Sequence, residues 1–220
     1  MILLPRLYAI IDFSAHESTH GLLAFAGALA AGGCTLLQYR NKSGNARVML
    51  EQARELKKHL DSHPNVAKNA TLGSGTQNSL RLIMNDRADL CLAADFGGVH
   101  VGQDDLSPES ARRIIGPERW LGVSTHNPEQ LREADLTSAD YLAIGPVFST
   151  SSKDKPDPVV GLEGVRRARE LTRKPLVAIG GITRSNAASV IESGADSVAV
   201  ISDLLRDPRK SAEEFFRILR

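Results

Sequence analysis

Along the chain, short continuous runs of apolar residues alternate with longer stretches in which apolar positions recur three and four residues apart. The short runs are Leu7 to Ile11, Thr35 to Tyr39, Arg81 to Met84, Gly98 to Val101, Trp120 to Val123, Tyr141 to Ile144, Leu176 to Ile179 and Ser197 to Ile201, which predicts eight strands. Helical periodicity fills segments between them, such as Val48 to Leu60, Pro108 to Ile115, Leu162 to Leu171 and Asn186 to Ser193. Strands that are apolar throughout imply a sheet covered on both faces, and helical crossovers force parallel pairing. A doubly wound sheet and a closed barrel both satisfy this pattern.

A recurring joint favours the barrel. Small residues, often with an Asp, precede a strand at Ala30-Ala31-Gly32-Gly33, Ala94-Asp95-Phe96-Gly97, Ser138-Ala139-Asp140 and Gly194-Ala195-Asp196. Each reads as a helix end closed by a small cap, followed by a short turn into the next buried strand. Eight units in 220 residues leave roughly 27 residues each, enough for a strand, a helix and two loops. The phosphate fingerprint of a dinucleotide-binding sheet is missing, because Gly73-Ser74-Gly75 lacks its third glycine and precedes a strand rather than following one. The predicted fold is therefore a (β/α)8 TIM barrel forming a single domain over residues 1–220, with the polar stretch Asp61 to Ser79 as an exposed loop insertion.

Composition narrows the function. A balance of 27 Lys and Arg against 26 Asp and Glu gives a net charge of +1, so no general field draws the chain to nucleic acid or to an anionic membrane. The opening apolar piece, Met1 to Leu4, stops at Pro5 with no basic region before it, and a cytoplasmic location is expected. Cys34 and Cys91 fit neither a zinc spacing nor a disulfide framework and read as small buried residues.

In a parallel barrel the site lies at the carboxyl ends of the strands. Those ends carry Gln38-Tyr39-Arg40-Asn41-Lys42, Asn85-Asp86-Arg87, Gly102-Gln103-Asp104-Asp105, Ser124-Thr125-His126-Asn127, Gly145 to Lys153, Gly180-Gly181 and Ser202. Carboxylates (Asp86, Asp104, Asp105) facing cations (Arg40, Lys42, Lys153) suit a hard divalent ion bridged to substrate phosphates, the usual mode of Mg2+. Backbone N–H groups at Gly180-Gly181 offer donors to a second, metal-free phosphate. Taken singly, Asp86 and Asp105 also read as helix N-caps, Gly180-Gly181 as a tight turn, and His100 and His126 as satisfied structural histidines. The segment Ser149 to Pro158 reads as a lid carrying Lys153.

With these motifs in order, the sequence resembles the thiamine phosphate synthase family over almost its full length. The resemblance rests on the segments 38–42, 85–87, 98–105 and 122–124, on Gly145-Pro146-Val147-Phe148 with Thr150 and Lys153, and on Gly161-Leu162, 178–182 and 200–202. It implies a barrel enzyme that joins hydroxymethylpyrimidine diphosphate to thiazole phosphate, simple or carboxylated, by Mg2+-assisted dissociative substitution. It implies further that Gln38, Arg40, Lys42 and Asn85, with Tyr39 and Asn41 of the same motif, hold the pyrimidine diphosphate. Asp86 and Asp105 would bind Mg2+, Ser124 the pyrimidine, and Thr150, Ser152 and Lys153 the phosphates at the lid. Gly181, Ile201 and Ser202 would receive the thiazole phosphate, and Arg40, Lys42 and Lys153 would stabilise the leaving diphosphate. Asn41 stands where many members carry Glu.

Two other readings share the fold or the ligands: a thiazole tautomerase-like barrel, and a non-catalytic sensor of thiamine precursors. The joint presence of Asp86, Asp105, Arg40 and Lys42 argues against the first, and the lack of a basic DNA-binding face argues against a regulator. The expected partners are small-molecule substrates, without nucleic acid or membrane, and helix patterning leaves a homo-oligomer open.

Overall fold

The computed structural model describes residues 2–62, 80–150 and 157–220. Eight parallel strands close into a barrel in sequence order: β1 (Leu7–Asp12), β2 (Leu36–Arg40), β3 (Arg81–Asn85), β4 (Gly98–Val101), β5 (Trp120–Thr125), β6 (Tyr141–Ile144), β7 (Leu176–Ile179) and β8 (Ser197–Val200). Among the described residues, eight α-helices surround them: α1 (Thr19–Ala31), α2 (Ala46–Asp61), α3 (Ala88–Ala93), α4 (Pro108–Ile115), α5 (Pro128–Asp135), α6 (Gly161–Leu171), α7 (Ala187–Glu192) and α8 (Pro208–Ile218). No described helix is long and apolar enough to cross a membrane.

The helix starts are written locally. Side chains of Ser18, Asn45, Ser107, Asn127 and Asp207 accept from the N–H three residues on, and Pro108, Pro128 and Pro208 stand in the first turns of α4, α5 and α8. Helix α2 runs through Asp61, one residue into the expected insertion, where Lys57 Nζ meets the Asp61 carboxylate at 2.7 Å. The rest of that insertion, residues 63–79, lies outside the described residues.

Strand alternation divides the apolar side chains into two sets. Leu7, Ala9, Ile11, Leu37, Tyr39, Leu82, Met84, Val99 and Val101 face outward and pack with the helices. Tyr8, Ile10, Leu36, Ile83, Tyr141, Ala143, Val177 and Ala199 fill the barrel interior, and Arg81 lies over the Trp120 ring at 4.1 Å.

The predicted joints carry a device of their own at the amino ends of the strands. Asp140, before β6, accepts from the backbone N–H of Leu121 (2.7 Å) and from Arg112 of α4 (2.6 Å). Asp196, before β8, accepts from the N–H of Leu176 and from Arg169 of α6, both at 2.8 Å. Each aspartate thereby ties a helix to the starts of two strands.

Candidate active site

Residues two apart on one strand share a face, so the inward set at the carboxyl end follows from register. Asp12 pairs with Arg40, Ile10 with Gln38, and Asn85 with His100 across neighbouring strands. The mouth therefore collects Asp12 from β1, Gln38 and Arg40 from β2, Asn85 from β3, His100 from β4 and Ser124 from β5. The Arg40 guanidinium donates to the buried Asp12 carboxylate, which also accepts from the backbone N–H (3.0 Å) and hydroxyl (2.7 Å) of Ser14.

Asp86 follows β3 with φ of +63°, a left-handed conformation that costs an ordinary L residue about 1 kcal/mol. Its N–H donates to the His100 carbonyl at 2.8 Å, and its carboxylate receives Lys42 Nζ at 2.5 Å. Asp105 is held by the Gly102 N–H at 2.8 Å. Burial and the adjacent Asp86 carboxyl push the Asp105 carboxyl upward, against the lowering effects of the Gly102 N–H and Lys42. Neither carboxylate is a helix cap: α4 is capped by Ser107, and Arg87, at the cap position of α3, makes no side-chain cap bond. Two adjacent carboxyls, that of Asp105 raised by burial and by its neighbour, beside Lys42, fit an ion that takes one or two protein oxygens and completes its shell with water and phosphate. No group of three or more metal-ligating side chains occurs among the described residues, so the donor set does not fit a closed all-protein cage.

Deeper in the mouth runs a continuous chain of polar groups. Gln38 Nε2 donates to the Tyr8 hydroxyl (2.8 Å), Tyr8 meets the Tyr141 hydroxyl (3.0 Å), Tyr141 meets His100 Nδ1 (3.1 Å), and His100 Nε2 meets Ser124 Oγ (2.8 Å). Burial pushes the His100 imidazole down to about 4, so it is neutral at physiological pH. Asn85 Nδ2 is buried without a hydrogen-bond partner among the described residues. His126 Nδ1 lies 2.6 Å from the Gly145 carbonyl oxygen, as expected of a structural histidine.

Two of the expected binding side chains are not at the mouth. Tyr39 alternates outward, donates to Gln52 Oε1 of α2 at 2.6 Å, and packs edge-on against Phe96. Asn41 Nδ2 turns to the same layer, donating to Gln52 Oε1 at 2.9 Å and to the Tyr39 hydroxyl at 3.2 Å. The period of two explains Tyr39: with Gln38 and Arg40 inward, the residue between them must face the helices. Gly180 and Gly181 hold φ of +101° and +63°, and side chains there would strike Pro146 and Phe148. They lie at the end of β7, with Ile201 and Ser202 next to them after β8. In the loop after β6, Thr150 is the last described residue before positions 151–156, and Ser152 and Lys153 lie outside the described residues.

Sequence reasoning missed Asp12, Tyr8 and Tyr141. The strand β1 continues one residue past its apolar run, and Asp12 falls in phase with Tyr8 and Ile10. Gly122, opposite both His100 and Tyr141 in register, was the available signal for Tyr141, since the space it leaves is filled by that ring.

Residues 7–204 match the family described as Thiamine monophosphate synthase. The chain is 60% identical to a thiamine-phosphate synthase of Koribacter versatilis, over 98% of this chain and 96% of the relative. The chain belongs to the thiamine monophosphate synthase family. Another such synthase, from Chloroflexus aurantiacus, is 41% identical over 90% of this chain and 83% of its own. Among solved structures, a thiamine phosphate pyrophosphorylase from Pyrococcus furiosus superposes with a TM-score of 0.79 at 33% identity, covering 97% of this chain and 95% of that one. The barrel mouth described above is thus the mouth of a thiamine monophosphate synthase family barrel.

Proposed function

We propose that the chain condenses 4-amino-2-methyl-5-hydroxymethylpyrimidine diphosphate with 4-methyl-5-(2-hydroxyethyl)thiazole phosphate, or its carboxylated form, to thiamine phosphate and diphosphate, in the cytoplasm. Family membership supports the overall reaction, and the inventory of the mouth supports the route. The observation that carries the diphosphate end is the orphan Asn85 Nδ2. A buried amide donor left unmet costs about 1–3 kcal/mol, and here it sits on the strand that leads into Asp86. A phosphate oxygen is an acceptor of the right kind.

Asp86 and Asp105 would hold Mg2+. When bound, that ion supplies positive charge to the diphosphate and lowers the energy of its departure. Arg40, fixed by Asp12, and Lys42, beside Asp86, provide further positive charge for the leaving group. With the simple thiazole phosphate, the methylene C–O bond breaks with its electron pair going to diphosphate, the thiazole nitrogen donates its lone pair to the methylene carbon, and no proton is transferred; with the carboxylated form, the thiazolium so formed also releases its C2 carboxylate as carbon dioxide and takes a proton from water at that carbon. That balance agrees with a mouth in which both His100 nitrogens are already engaged. The amino-substituted pyrimidine can carry the transient positive charge, and orientation by the barrel floor holds the two substrates in line. Gln38 and Ser124 bind the pyrimidine, Gly181, Ile201 and Ser202 the thiazole phosphate, and Thr150, Ser152 and Lys153 the diphosphate.

The test is a coupled assay that follows thiamine phosphate and released diphosphate from purified protein and both substrates, with Mg2+ and with EDTA. Both products with Mg2+ only, and their loss in Asp86→Ala and Asp105→Ala, are expected. Equal turnover in EDTA, or unchanged turnover in both variants, would remove the metal assignment. Binding of a precursor by folded protein without turnover would favour the sensor.

A further inference from the structure

We propose that Tyr8, Tyr141 and His100 are positioning residues, forming a buried hydrogen-bond relay that fixes which of Gln38 and Ser124 donates to the pyrimidine and which accepts. This rests on the reading that Gln38 and Ser124 touch that ring.

The five groups come from five strands, β2, β1, β6, β4 and β5, and the relay crosses the barrel interior. Gln38, Tyr8, Tyr141 and His100 are all buried, with relative exposures of 4%, 1%, 0% and 8%. The chain offers few alternative partners, and each hydroxyl has one proton to give. The Gln38 amide nitrogen faces Tyr8, so Tyr8 accepts from Gln38 and gives its proton to Tyr141. Tyr141 in turn gives its proton to His100 Nδ1. A neutral imidazole that accepts at Nδ1 carries its proton at Nε2, and that proton points at Ser124 Oγ. The Ser124 hydroxyl proton is left for a ligand, while Gln38 Oε1 accepts from no other described residue.

One end of the relay therefore presents a donor and the other an acceptor, and the two cannot be changed independently. An aromatic amidine edge, an amino group beside an unprotonated ring nitrogen, presents the matching acceptor and donor. Tyr8 and Tyr141 touch no substrate in this arrangement; they act through Gln38, His100 and Ser124. Gly122 keeps the relay continuous, because a Cβ there would collide with both Tyr141 and His100 Nδ1.

Histidine 15N NMR of the wild-type protein reads the tautomer without any variant. His100 protonated at Nε2 is expected, and protonation at Nδ1 would overturn the proposal. For steady-state kinetics, Tyr8→Phe and Tyr141→Phe are expected to lower kcat/KM for the pyrimidine diphosphate about tenfold, the value of one hydrogen bond. KM for the thiazole phosphate should not change. With an analogue whose 4-amino group is replaced by hydrogen, the variants and wild type should converge. Ser124→Ala separates the two levels of the argument. If it leaves pyrimidine kinetics untouched, the contact reading fails and the relay with it. If Ser124→Ala is impaired while both Phe variants match wild type on both substrates, the contact stands and the relay is refuted.

Discussion

Gly122→Ala tests the packing of the barrel floor. Gly122 lies between His100 on β4 and Tyr141 on β6, and a methyl group at its Cβ position falls on the Tyr141 ring and on His100 Nδ1. Neither side chain is free to yield, since Tyr141 is fully buried and His100 nearly so. Overpacking of this kind costs about 1–3 kcal/mol, and displacing Tyr141 also breaks its bonds to Tyr8 and His100, worth about 1 kcal/mol each. The expected loss is about 3–5 kcal/mol, a large part of a typical total of about 5–15 kcal/mol, with Tm lower by about 10 °C. The control is Gly116→Ala, at a φ of +76° with no atom within 4 Å of the added Cβ. Only backbone strain acts there, at a ψ of 179° that with this φ is adopted essentially by glycine alone, so about 1–3 kcal/mol is expected. Urea and thermal unfolding of both variants decide the matter. If Gly122→Ala loses under 1 kcal/mol, or less than Gly116→Ala, the interior is not packed as the hydrogen-bonded chain requires.

Asp12→Asn keeps an oxygen for Ser14 but removes the charge that fixes Arg40; kcat/KM for the pyrimidine diphosphate should fall about tenfold, measured against an unchanged KM for thiazole phosphate. Asp86→Gly should abolish turnover and yet leave stability unchanged or raise it by about 1 kcal/mol, because it relieves a left-handed φ of +63°; clear destabilisation in a melt would show that the backbone there is unstrained. Burial pushes the Cys34 and Cys91 thiols up to about 12, which leaves a thiolate fraction of about one in ten thousand at pH 8. Iodoacetamide should therefore modify neither in the native protein and both in urea, as read by mass spectrometry.

The strands were legible because a covered parallel strand is written as a continuous apolar run. All eight expected runs appear as strands, with ends shifted by no more than about two residues. The choice of barrel over open sheet followed from the repeated joints, and the closed order β1 to β8 agrees with it. The site was legible where a polar residue interrupts the end of a run, as at Asn85 and Asp86. It was less so where facing matters: Tyr39 and Asn41 sit inside the richest motif, yet their side chains bond Gln52 in the helix layer. Tyr8 and Tyr141 were hidden for the opposite reason, since an aromatic residue inside an apolar run looks like core until its hydroxyl partner is seen on a distant strand. Their contact joins positions 133 residues apart, and no local pattern encodes it.

The aspartate ties before β6 and β8 have a consequence for how this architecture can change over evolutionary time. Arg112 with Asp140 and Arg169 with Asp196 fasten the amino ends of the strands, the end of the barrel remote from the mouth. Cohesion and chemistry thus occupy opposite rims, and drift in one need not disturb the other. Loops above the carboxyl ends can be lengthened, exchanged or retuned for a new ligand while the lower rim goes on holding the staves together. A library that randomises the upper loops should retain folded members at high frequency, whereas the same diversity spent on Asp140 and Asp196 should deplete them.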